Sequence, residues 1–109
     1  MATYVNNLRL KEIATGDESG TWGTSTNTNL ELIGEALGFG TKQMSSDANT
    51  TFTMSDGAAD STRASYLKIT SATSLSTTRT VTLAPNTVSK LWVIENATTG
   101  AQSINIKQG

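Results

Sequence analysis

Between Thr24 and Leu37 the apolar residues recur at spacings of three and four. Leu30, Ile33 and Leu37 make one stripe, and Leu32 and Ala36 widen it. That period lays them along one side of a helix. Thr24 or Ser25 is suited to cap its start by accepting a hydrogen bond from a free backbone N–H, and Gly38 to end it in the left-handed conformation. Upstream, residues 14–23 carry Gly16, Gly20 and Gly23 among acidic and hydroxyl residues, which is the chemistry of a loop. Thr3 to Ile13 fits an extended arm or a short strand.

From about Thr41 onward the period changes to two. Candidate strands are Thr50 to Met54, Ser65 to Thr70, Thr78 to Leu83, Leu91 to Glu95 and Ser103 to Lys107. Asp56-Gly57, Pro85-Asn86 and Thr99-Gly100 supply turns between them. Leu91-Trp92-Val93-Ile94 is continuous rather than alternating, the mark of a strand buried on both faces, and is expected at the centre of the core. No internal repeat is evident at the roughly 20–50-residue periods of solenoids. The expected fold is mainly β: an N-terminal extended arm and short helix, followed by a small antiparallel β-sandwich or open barrel. Residues 1–40 read as an attachment segment and residues 41–109 as a Thr-rich β module. The last strand stops at Gly109 without a closing turn, consistent with a piece of a longer protein.

Composition sharpens this picture. Thr and Ser account for 32 of the 109 residues, whereas Leu, Ile, Val and Phe together account for only 21. A chain so poor in large apolar residues has a thin core, and a net charge of −1 argues against disorder. Thr fits a pleated, half-buried surface, so neighbouring subunits are expected to supply the missing burial. Basic residues never cluster beyond a pair, which argues against nucleic acid as a partner. No apolar run approaches the roughly 20 residues that span a bilayer, so no membrane insertion is expected.

Candidate chemistry narrows further. Histidine and cysteine are both absent, which removes imidazole bases, thiol nucleophiles and their metal sites. Gly16-Asp-Glu-Ser-Gly20 superficially matches a serine-hydrolase elbow, but the serine is misplaced and no base exists to activate it. Asp17 with Glu18, and Asp56 with Asp60, fall short of the roughly six to eight ligands of a hard cation and read as turn residues. Glu31 and Glu35, one helical turn apart, mark a solvated face or a socket for a Lys or Arg from a neighbouring subunit. The sequons at Asn49 and Asn96 arise naturally in so Thr-rich a chain. No enzymatic activity, cofactor or metal is expected. Trp22 is either a sugar-stacking platform or an anchor over the helix start, and Trp92 is expected in the core.

Taken together, Gly16-Asp-Glu-Ser-Gly-Thr-Trp-Gly-Thr-Ser-Thr-Asn-Thr-Asn-Leu-Glu-Leu-Ile33 resembles a recurrent pattern of phage tail-fibre and related virion proteins, especially of marine phages. These begin with an extended segment, then Gly-Asp-x-x-Gly-x-Trp-Gly, then Asn-x-Asn-Leu and a short helix. Residues 85–109 are similar to the Thr-rich β segment that follows in them. The resemblance implies a virion component located at the phage tail, commonly a homotrimer, with its N-terminus toward other phage tail proteins. It assigns no catalytic residue. Asp17, Glu18, Ser19, Trp22, Leu30, Ile33 and Leu37 are the expected partner-binding residues. A host-surface glycan is a second candidate partner, and a capsid decoration protein a third reading.

Overall fold

The computed structural model describes residues 3–109. Its strands are β1 (Thr3–Val5), β2 (Leu10–Glu12), β3 (Phe39–Met44), β4 (Thr50–Thr53), β5 (Tyr66–Ser71), β6 (Arg79–Ala84), β7 (Val93–Asn96) and β8 (Ile104–Gln108). One helix, α1 (Trp22–Ala36), separates the first two strands from the rest, and a 3-10 turn occupies Ser61–Arg63. The mainly-β character with a single N-terminal helix therefore holds.

Strand direction does not. Among the described residues only the β1–β2 hairpin is antiparallel. β3, β5 and β7 form one parallel sheet, while β4, β6 and β8 form another. Successive strands thus alternate between two sheets, and the chain winds through three coils of a two-sided solenoid rather than folding back in hairpins. Neither sheet closes into a barrel. In the first sheet Phe39, Tyr66 and Val93 are in register, 27 residues apart at each step (66 − 39 and 93 − 66). The second sheet aligns Thr50, Val81 and Ile106, at steps of 31 and 25 (81 − 50 and 106 − 81). A structural repeat is present after all. Its constant element is backbone register and not residue identity, and unequal corners blur its period.

Inward-facing ladders fill the space between the sheets. Met44, Leu67 and Ile69 from the first meet Phe52, Val81 and Leu83 from the second, and Leu75 plugs a corner. Val81, Leu67, Ile69 and Met44 are wholly buried. Contrary to expectation, the Leu91–Ile94 run is not the centre of this core. β7 is an edge strand, Leu91 and Val93 point into solvent, and Trp92 and Ile94 are only partly covered.

Polar side chains hold the corners in stack. Asp47, in the turn after β3, accepts from Ser76 Oγ (2.7 Å) and Arg79 Nε (2.9 Å) in the next coil. Asn49 accepts from the Thr80 N–H at 2.9 Å, and Asn96 from the Thr98 N–H at 3.1 Å, so both sequon asparagines serve as corner pieces. At Gly100 φ is +105° and a Cβ would lie 2.3 Å from the Leu75 carbonyl oxygen, so only glycine lets these two corners touch.

The N-terminal elements pack at the β3 end of the solenoid. The segment 3–13 is the β1–β2 hairpin, and Asn29 of α1 clamps it by pairing with both the N–H (3.0 Å) and the C=O (2.9 Å) of Lys11. Arg63, with no exposed surface, joins everything at this end. Its guanidinium donates to the Leu8 carbonyl (2.7 Å), the Ala58 carbonyl (2.8 Å), the Ser55 carbonyl and Glu35 Oε1 (2.8 Å). Glu35 is thus a socket for an arginine of its own chain, not of a neighbour. The helix ends also differ from expectation. Thr21 occupies the N-cap without a side-chain hydrogen bond, Thr24 and Ser25 lie inside the helix, and Gly38 is not left-handed.

Two expected outcomes follow from this packing. Removing a buried guanidinium strands its acceptors, so Arg63→Ala should lower the unfolding free energy by about 3–5 kcal/mol, measured from urea midpoints. Arg63→Lys should recover only part of it, since an ammonium cannot reach four acceptors in fixed directions. The Asp47 carboxyl is held down to about 2 from its ordinary 3.8 by the hydrogen bond from Arg79 and then by Ser76. The unfolded chain therefore binds more protons in this range, and the stabilisation is complete above about pH 4 and lost as pH falls toward 2. Asp47→Asn should lower thermal stability at pH 7 and flatten its decline between pH 4 and 2.

Candidate docking surface

α1 carries two apolar faces of different character. Ser25, Leu32 and Ala36, with Asn29 between them at helical spacing, point into the molecule. Leu30, Ile33 and Leu37 point outward and are 61%, 36% and 79% exposed. The inner face combines one large apolar side chain, Leu32, with the small or polar Ser25, Asn29 and Ala36, and packs against the hairpin and the 3-10 turn. The outer face carries Leu30, Ile33 and Leu37, of which Leu30 and Leu37 are largely uncovered by the described residues. A soluble surface helix ordinarily carries charged or polar side chains on its outer face.

The glycine-rich segment divides the expected contact residues in two. Asp17 is half-buried within the turn that its N–H closes onto the Ala14 carbonyl (3.0 Å). Glu18 adopts φ +57° and turns inward, where its Oε1 accepts from Lys11 Nζ (2.9 Å) and Ser25 Oγ (2.6 Å). Hydrogen bonds from Ser25 and Lys11 hold the Glu18 carboxyl below the usual carboxylate range. It therefore braces the loop against α1 instead of reaching toward a neighbour. Ser19 is exposed, and Trp22, the first residue of α1, is 62% exposed. Trp22 does not cover the helix start.

A shallow cleft of about 140 Å³ lies between Tyr4, Lys11, Thr28, Asn29 and Gly57. Its cation is already paired with Glu18, so it offers no free charge to a ligand.

The structure adds a second apolar surface that sequence reasoning missed. On the outer face of the first sheet, Phe39, Tyr66 and Val93 form one in-register ladder. Phe39 stacks on Tyr66 with ring centroids 5.1 Å apart and planes 22° apart. All three are exposed, and Leu37 and Leu91, each two residues before a rung, are the most exposed large apolar residues described. Beside this ladder runs another of Thr41, Lys68 and Glu95. Glu95 accepts from the Tyr66 hydroxyl at 2.6 Å, which raises the tyrosine's pKa. The recurrence of a large apolar residue at 39, 66 and 93 was the available signal, hidden because Phe39 fell outside every predicted strand.

No protein-family model matches the chain, and no curated protein or solved structure is significantly similar to it.

Exposure separates the roles of the helix residues. Trp22→Ala should change the unfolding free energy by no more than about 0.5 kcal/mol, as at other exposed positions. Leu32→Ala, at a site 2% exposed, should cost about 2–5 kcal/mol by denaturant titration.

Proposed function

We propose that this protein is a structural virion component, the N-terminal part of a phage tail fibre, which attaches the fibre to the tail and associates as a homotrimer. The resemblance of residues 16–33 to tail-fibre N-termini suggests the setting. The observation that carries the docking role is α1's second apolar stripe, with Leu30, Ile33 and Leu37 turned to solvent and Trp22 exposed one helix end away. An aromatic anchor beside an aliphatic stripe is the composition of an interface centre.

The solenoid suits a shaft-like element. The chain as a whole is elongated, with extents of 53 × 22 × 21 Å, and the coils of the solenoid are joined to one another by sheet hydrogen bonds. In this reading the N-terminal hairpin, loop and helix engage tail proteins, while the parallel sheets transmit position along the fibre.

Cross-linking mass spectrometry on intact particles tests the assignment. Links between residues 1–40 and tail proteins are expected, and they should be depleted in a Leu30→Asp, Trp22→Ala double variant. Links confined to capsid proteins would replace the tail reading with a decoration protein. Location only at the distal fibre tip would replace it with a receptor-binding module.

A further inference from the structure

We infer that the outer face of the β3-β5-β7 sheet, centred on the Phe39–Tyr66–Val93 ladder, is where a second copy of this chain packs. This deepens the association half of the reading above and rests on it, but it assigns the contact to the sheet and not to α1.

Five large apolar side chains, Leu37, Phe39, Tyr66, Leu91 and Val93, are between 36% and 79% exposed on or beside this face. At about 150–250 Å² for a fully exposed large side chain they present on the order of 500 Å² of apolar surface. That is at the upper end of what a monomer leaves in water. With the adjoining polar ladder it approaches the roughly 800 Å² per partner of a standard interface.

The occupant is identified by shape and charge. Parallel strands place the rungs at even spacing, so the apolar residues form a straight stripe along the sheet's stacking direction. Another straight stripe fits such a surface, and this chain presents one. The neighbouring ladder carries Lys68 and Glu95 at paired positions, and Lys68 has no ion pair among the described residues. A face bearing both signs in one row is complementary to a copy of itself, which allows Lys68 of one copy to meet Glu95 of the other. The net charge of −1 sets up little long-range repulsion between copies.

The test uses the isolated chain and so does not depend on where it resides in a particle. Sedimentation velocity should give a multiple of 11.5 kDa for the wild type. Phe39→Thr combined with Val93→Lys should reduce this to 11.5 kDa with an unchanged circular dichroism spectrum. Because the sequence has no cysteine, Val93→Cys gives a single reactive thiol and should form a disulfide-linked dimer on mild oxidation. A monomeric wild type at micromolar concentration, or a folded double variant that keeps the wild-type mass, overturns the proposal. If the double variant unfolds, the cross-link decides, and its absence overturns the proposal as well. Cross-linking of a protein found away from the tail would leave this interface standing while removing the tail assignment.

Discussion

One buried guanidinium holds together elements distant in sequence. Arg63 contacts the hairpin through Leu8, the helix through Glu35 and the loop before the second coil through Ser55 and Ala58. Each acceptor satisfies a donor that would otherwise be buried and unpaired, so the four contacts stand or fall together. Neighbouring carboxylates extend the arrangement. Glu35 also accepts from the Asp60 N–H, and Asp60 caps the 3-10 turn and pairs with Lys42. The short turn that carries Arg63 leaves little room above β3, and Gly40 meets that need: a Cβ there would lie 2.9 Å from Ser61. A polar knot replaces the apolar plug that so few aliphatic residues cannot supply.

The sequence revealed strands more faithfully than their partners. Alternation at Phe52, at Leu67 and Ile69, at Val81 and Leu83, and at Ile104 and Ile106 located four strands within two residues at either end. Period two reports that a segment has two faces, and it carries no information about the direction of the neighbouring strand. The expected sandwich or open barrel was antiparallel. Here consecutive strands lie in different sheets, and true partners are a whole coil apart. β3 went unseen because Gly40 and Lys42 occupy its inward positions, one for close approach and the other to place its ammonium 5.3 Å from the Phe52 ring. The Leu91–Ile94 run misled for a related reason. Its continuous apolarity belongs half to the core and half to an exposed ladder, not to a strand enclosed on both faces.

The candidate site was legible in part. Helical periodicity found Leu30, Ile33 and Leu37 but could not say which face the rest of the chain would cover, since Leu32 and Ala36 fit the same period. Glu18 looked like a surface acid because no sequence rule predicts its left-handed backbone, which swings the carboxylate onto Lys11 and Ser25. The sheet ladder required knowledge of register. Once register is known, the exposed surface resolves into a helical stripe and a sheet stripe, and the polar N-terminal loop becomes a brace between hairpin and helix.

Because partners in the solenoid are nearest neighbours only, cohesion accrues coil by coil, much as in a one-dimensional lattice. A coil inserted between β5 and β7, with a matching strand in the opposite sheet, would meet the same backbone geometry on both sides and leave the Arg63 knot untouched. Length in such an architecture is therefore a quantity that duplication or deletion of about one coil can change in discrete steps, while the specialised N-terminal end keeps its form.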